Sequence, residues 1–200
     1  MALHTPPPVA WSEGKARVNA LFVYHFGMIR AVLVLVALTL FPPQQSLAPF
    51  VPSPEDVVDR MLALADVKKT DTVLDLGCGD GRIPIRAAQK YGARGIGVDI
   101  DQKLLDVAVT NARRAGVEHL VEFRLEDAMT TDLSKATVVT LYLLSSSNTR
   151  LRPRLQEQLR PGARIVSHAF SMGADWPADT IDQFRSARGD EVTLYLWKIR

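Results

Sequence analysis

Three glycines at alternate positions, Gly77, Gly79 and Gly81, close the apolar run Val73 to Leu76 in the stretch VLDLGCGDG, and Asp99 ends the apolar run GIGVD 18 residues after Gly81. Those residue types at that spacing suit recognition of a nucleotide-type cofactor. Glycine lets the backbone turn sharply and touch a ligand that a Cβ would hold off. An aspartate at the carboxyl edge of a strand can accept hydrogen bonds from two ribose hydroxyls at once. Asp75, two residues before the loop, is either a buried acceptor that organises the glycine backbone or a group that reaches a cationic end of the cofactor. The loop reads GCGDG rather than GxGxxG, and Asp80 beside pyrophosphate oxygens would cost electrostatic energy, which turns the ligand away from a dinucleotide. The plainer alternative is a tight strand-to-helix turn in a fold whose chemistry lies elsewhere.

The elements that must position these groups alternate between strand and helix. Ser53 reads as a helix cap with Pro54 at the first helical position, followed by one apolar stripe of Val57, Val58, Met61, Leu62 and Ala65. After the first strand, RIPIRAAQKYG has helical spacing at Ile83, Ala87 and Ala88 and ends on Gly92. Gly95 to Ile100 is a second strand, and Asp101 caps a helix over 102–115 whose Leu104, Leu105, Ala108, Val109 and Ala112 face the sheet. Val121, Phe123 and Leu125 alternate as a third strand, with Glu126 and Asp127 at its carboxyl edge. Thr137 to Leu143 is a fourth strand, apolar on both faces as a central parallel strand should be. A helix over 149–159 tolerates Pro153 only near its first turn. Arg164 to Phe170 forms a fifth strand, placing His168 near the sheet's carboxyl edge, where an imidazole could accept a proton. Residues 171–189 read as a loop and Glu191 to Ile199 as a strand, so at most six strands follow Pro54. The fold class is α/β, with the carboxyl-terminal edge of the sheet shortened unless the loop over 171–189 hides a short strand.

The segment LDLGCGDG with Asp99 resembles the S-adenosylmethionine site of the class I methyltransferases, a Rossmann-like three-layer sandwich. More narrowly, FVPSPEDVVDRML at 50–62, VLDLGCGDGRIPIRAA at 73–88, GARGIGVDID at 92–101, DLSKATVVTLYLL at 132–144 and LRPGARIVSHAF at 159–170 are similar to the broad-specificity protein-lysine methyltransferases of archaea and to a mitochondrial relative that methylates a lysine of the ATP synthase c subunit. The glycine motif belongs to a very large superfamily; the VPSP, ATVVTLYLL and RIVSHAF runs are narrower signals. The resemblance implies that Gly77, Gly79 and Gly81 cradle S-adenosylmethionine, that Asp99 holds its ribose, and that Asp127 and Ile100 hold its adenine. It further implies that Val51 and Pro52 fold over the cofactor and shape a lysine channel. At the end of the fourth strand, Tyr142 to Asn148 stands where amide and adenine methyltransferases carry an Asn-Pro-Pro-Tyr type motif. Tyr142 is therefore the candidate to surround a lysine stem and orient its amine, with His168 as the candidate proton acceptor. The implied partner is a protein with an accessible lysine; small-molecule or RNA methylation, or an interaction domain without catalysis, are the alternatives.

Composition agrees with one domain over 50–200 after a leader over 1–48. The leader holds three basic residues and one acidic residue, which leaves 21 of each in the remainder. No strongly basic nucleic-acid surface is indicated; Arg150, Arg152, Arg154 and Arg160 read as a solvated helix face, with a local basic patch as the alternative. One cysteine, Cys78, excludes an intrachain disulfide, and the four histidines have no ligand-like spacing, so no metal site is expected. Within the leader, 21–41 is an apolar stretch interrupted by His25, Gly27 and Arg30, and 31–41 is an apolar run broken only by Thr39. Counted from Met28 it has the form of a signal peptide with a small-x-small pair at Ser46 and Ala48. Counted from Met1 it is long enough to span a bilayer. The expectation is membrane association through a hydrophobic amino-terminal helix with the domain facing the cytoplasm, where the cofactor is made; export by a cleaved signal, or an apolar extension packed on the domain, are the alternatives.

Overall fold

The expected alternation of strand and helix forms in a computed structural model, which describes residues 50–200. Strands β1 (Thr72–Leu76), β2 (Arg94–Asp99), β3 (Val121–Leu125), β4 (Val138–Leu141) and β5 (Arg164–His168) are parallel and lie in the order β3-β2-β1-β4-β5. Helices α1 (Glu55–Leu64), α2 (Arg82–Tyr91), α3 (Gln102–Arg114) and α4 (Ser145–Gln158) punctuate them. The chain runs outward from β1 through β2 to β3 and then returns to β4 on the other flank. The crevice beyond the carboxyl ends of β1 and β4 is thus a topological switch point, where ligands bind in open α/β sheets.

Adjacent residues on the central strands face opposite cores, which makes three layers. Val139 and Ile165 join Leu74 and Leu76 in a cluster with Leu151 and Leu155 of α4. Val138 and Val166 turn the other way, joining Val73 against Val57, Val58, Met61 and Leu62 of α1 and Ile83 and Ala87 of α2. The apolar stripe expected on α1 is buried throughout, Ala65 included. Asp101 caps α3 as expected, accepting from the Lys103 amide at 2.9 Å. Val109, expected to face the sheet, is exposed; Leu105, Ala108 and Ala112 form the buried face of α3.

Three expectations are corrected. The sheet has seven strands, because residues 180–185 of the expected loop form β6 (Thr180–Arg185), antiparallel to β7 (Glu191–Lys198) over six residue pairs. The carboxyl-terminal edge is therefore not shortened: β7 pairs antiparallel with β5, and β6 covers β7. Outward-facing β6 has little apolar alternation; Arg60 of α1 ties it down with a two-pronged bond to Asp182 at 2.7 and 2.8 Å and with its guanidinium 4.9 Å from the Phe184 ring centre. Second, α4 begins at Ser145, so Pro153 lies well inside it. Pro153 and Thr149 four residues back are both exposed, where solvent can take the carbonyl the proline leaves without a donor. Third, Ser53 does not cap α1. Pro54 occupies the cap position without a side-chain bond, and the Ser53 hydroxyl lies instead 2.9 Å from Nδ1 of His168.

The leader over 1–48, with its apolar stretch over 21–41, lies outside the described residues, and so does every expectation that rests on it. Among the described residues no helix is long and apolar enough to cross a membrane.

Candidate active site

At the carboxyl ends of β1 and β4 the glycine loop takes a shape its sequence demands. Gly77, Gly79 and Gly81 have φ of 81°, 53° and 77°, in the left-handed region that favours glycine. Their roles then divide. A Cβ on Gly81 would come within 2.6 Å of the Phe123 ring and 2.8 Å of the Ala108 Cβ, so this glycine serves the close packing of the turn against α3 and β3. A Cβ on Gly79 would fall 2.3 Å from the ring of Phe50, which covers the loop from the amino-terminal strap, residues 50–53. Gly77 lines the cavity itself.

The amides of Gly77, Cys78 and Gly79 are taken up by β2, not by Asp75. Gly77 and Cys78 donate to the Val98 carbonyl at 2.9 and 3.0 Å. Gly79 donates to Asp99 Oδ2 at 2.9 Å, and the Asp101 amide donates to Asp99 Oδ1 at 3.0 Å. Both Asp99 oxygens are thereby held in place with lone pairs to spare for a vicinal diol. Asp75 is buried at the switch point and accepts instead from Thr140 Oγ1 at 2.7 Å, its register partner on β4. Burial pushes the Asp75 carboxyl up to about 7, the negative charges of Asp99 and Asp80 push the same way, and the Thr140 bond opposes them. Cys78 is a packed side chain: its sulfur fills the space where a Cβ on Gly97 would sit at 2.7 Å, and burial raises its thiol pKa far above the usual range.

These groups surround a cavity of about 430 Å³, within the usual range for small-molecule sites. Val51, Pro52, Asp75, Gly77, Asp99, Ile100, Asp127 and Tyr142 all line it, so most of the expected site converges. Asp127 is fixed by the Met129 amide at 2.8 Å. Glu126 also lines the cavity and accepts from the Thr131 hydroxyl at 3.1 Å. Gly79, Gly81 and His168 do not line it. His168 sits behind Tyr142, with ring centres 3.9 Å apart, and burial lowers its pKa to about 4. A ring that stays neutral to that pH is a weak acceptor for an ammonium proton, though a competent hydrogen-bonding group.

Sequence reasoning misses Ser53, Arg82 and Thr140 as parts of the site. Arg82 grips Asp80 through Nε at 2.9 Å and Nη2 at 2.6 Å, and its Nη1 donates to the Ser53 carbonyl at 2.6 Å, so it links the glycine loop to the strap. The signal for it is positional: Arg82 is the first residue after a loop that carries its own acid. The four arginines do not form one patch. Arg154 donates to the carbonyls of Met129 and Thr131, and Arg152 pairs with Asp175 at 3.7 Å, while Arg150 and Arg160 are exposed. No cluster of three metal-ligating side chains exists among the described residues.

The lining suits S-adenosylmethionine: carboxylates match its cation, and Asp99 and Asp127 offer acceptor oxygens to the cavity, as ribose and adenine would require. Comparison with known proteins agrees. Residues 75–180 match the family described as ANTKMT methyltransferase domain. A protein-lysine N-methyltransferase of Saccharolobus islandicus is 40% identical over 149 residues, covering 74% of this chain and 92% of that protein. The lysine N-methyltransferase of the ATP synthase c subunit from Xenopus laevis is 30% identical over 133 residues, 66% of this chain and 58% of that protein. Among solved structures, an RNA methyltransferase from Salinibacter ruber in complex with S-adenosyl-L-homocysteine superposes with a TM-score of 0.69 at 55% identity, covering 74% of this chain and 94% of that one. On the extent of these matches the chain belongs to the ANTKMT methyltransferase domain family and is an S-adenosylmethionine-dependent methyltransferase.

Proposed function

We propose that the acceptor is the ε-amine of lysine in proteins. The observation that carries this reading is the charge of the cavity wall: among the described residues Asp75, Asp80, Asp99, Asp101, Glu126 and Asp127 line it, against one cation, Arg82, already gripped by Asp80. Such a wall attracts a cationic side chain and repels phosphate. The exposed apolar residues Phe50 and Val51 and the half-buried Tyr142 complete the lining, which suits an apolar lysine stem. S-adenosylmethionine held by these residues would supply an electrophilic methyl group on a sulfonium, the C–S bonding pair staying with sulfur as the new N–C bond forms. The chain's contribution is alignment and exclusion of water: Asp99 and Asp127 fix the donor, the strap covers it, and Tyr142 directs the amine. An amine with an ordinary pKa near 10.4 must first lose its proton to solvent, and entry into the channel beside a sulfonium lowers that pKa.

RNA is the second reading, favoured by the name of the Salinibacter ruber protein. Incubating the full chain with methyl-labelled S-adenosylmethionine and separated protein and RNA fractions of a cell extract distinguishes them. Label is expected in protein, abolished by prior acetylation of lysines; label in RNA that survives protease and vanishes with nuclease would overturn the lysine reading.

Asp75 makes cofactor binding depend on pH. A cation bound near this carboxyl favours its ionised form, whereas the carboxyl of the free protein is protonated below about pH 7. Binding there must expel a proton below that pH, so affinity falls toward about tenfold per pH unit as the solution is acidified. Calorimetry between pH 5 and pH 8 should show that slope, and Asp75→Asn should bind more weakly with the slope gone. A wild-type affinity independent of pH would show that Asp75 is a structural acceptor for Thr140 alone.

A further inference from the structure

Ser53 is held where three separate parts of the chain meet. Its hydroxyl lies 2.9 Å from His168 Nδ1 at the end of β5, and its carbonyl accepts from Arg82 at the start of α2. It lines the cavity together with Tyr142, whose ring packs on His168. Both Ser53 and His168 are buried, at 2% and 6% exposure. His168 is neutral at pH 7, and burial alone accounts for that. A neutral imidazole carries one acceptor nitrogen, and a hydroxyl carries one proton and two lone pairs. If Nδ1 takes the serine proton, Ser53 can present only lone pairs to the cavity.

We propose that Ser53 Oγ accepts an N–H of the attacking lysine amine, and that His168 is the positioning residue that holds the hydroxyl in its accepting orientation; this rests on the lysine reading above. A neutral amine entering a site closed to water needs an acceptor for its N–H while its lone pair points at the methyl carbon. Ser53 meets that need at the cavity wall beside Tyr142. His168, which the cavity does not reach, acts only through Ser53 and through the face of Tyr142.

The role predicts a dependence on methylation stage that a purely structural serine would not show. Unmodified lysine has two N–H bonds as the free amine, monomethyl-lysine has one and dimethyl-lysine has none. One lysine peptide prepared in the three forms, with the full-length protein, reads this out. Ser53→Ala should slow the first transfer about tenfold, the worth of one hydrogen bond. It should leave the third transfer and the calorimetric affinity for S-adenosylmethionine within about twofold of wild type. Ser53→Thr should restore the first transfer, and His168→Phe, which keeps a ring against Tyr142, should reproduce the Ser53→Ala pattern more weakly. Should the wild type stop short of trimethyl-lysine, the loss is read as lower kcat at unchanged KM and unchanged cofactor affinity. Equal slowing at every stage, slowing that tracks weakened cofactor binding, or no slowing overturns the proposal. A wild-type protein that methylates none of the three peptides would instead overturn the lysine reading.

Discussion

Asp99→Ala is expected to weaken S-adenosylmethionine binding by roughly 100-fold while leaving the protein folded. Two hydrogen bonds to a carboxylate, each worth about 1.5–3 kcal/mol, are lost from the ribose, and about 3 kcal/mol corresponds to two decades of affinity. The loss has a second origin within the chain. Asp99 holds the amides of Gly79 and Asp101, so alanine releases the middle of the glycine loop as well as the proposed ribose acceptor. Asp99→Asn keeps one acceptor oxygen and should fall between the two. Calorimetric titration with circular dichroism as a fold control measures this, and an Asp99→Ala protein binding within about fivefold of wild type would mean that the cofactor does not lie along β2.

The largest expected effect on stability comes from Trp197. This side chain is fully buried on β7, stacks with Tyr195 at 5.9 Å between ring centres, and donates Nε1–H to the Trp176 carbonyl at 3.0 Å. It belongs to the core between the sheet and α4, far along the chain from the glycine loop. Trp197→Ala removes that packing and leaves the Trp176 carbonyl without its donor. A cost of about 3–5 kcal/mol follows, a drop in Tm of roughly 10 °C for a domain of this size. Trp197→Phe should lose less than half as much. Urea denaturation of both variants checks the ranking, and a cost below about 1 kcal/mol for alanine would be incompatible with Trp197 filling this core.

The parts of the fold legible in the sequence are those where one residue type admits one conformation or one environment. The alternating glycines, the apolar runs of β1, β2 and β4, and the stripe on α1 all have burial on both faces or a regular period to mark them. β6 has neither: at the sheet edge only Asp182 and Phe184 are half-buried, and its pairing with β7 depends on a turn at residues 186–190 whose Ser186, Gly189 and Asp190 suit a longer loop equally well. The start of α4 is hidden because Ser145, Ser146 and Ser147 suit a loop in isolation, and Pro153 argues for a start closer to itself. The site shows the same division. Asp99 ends β2, and Asp127 and Tyr142 follow closely on β3 and β4, so each can be placed by that alone. Ser53 cannot, since a serine before a proline and two acids has a complete local explanation as a helix cap; its contact with a residue 115 positions away is tertiary.

The central claim is that methyl groups pass to lysine nitrogen, and acid hydrolysis of protein labelled by the full chain, followed by amino-acid analysis, tests it most directly. The account predicts that label elutes as Nε-methylated lysines and falls by roughly 100-fold with Asp99→Ala at subsaturating cofactor. Label recovered on arginine or an α-amino group, or released as methylamine from side-chain amides, with none on lysine, would contradict it.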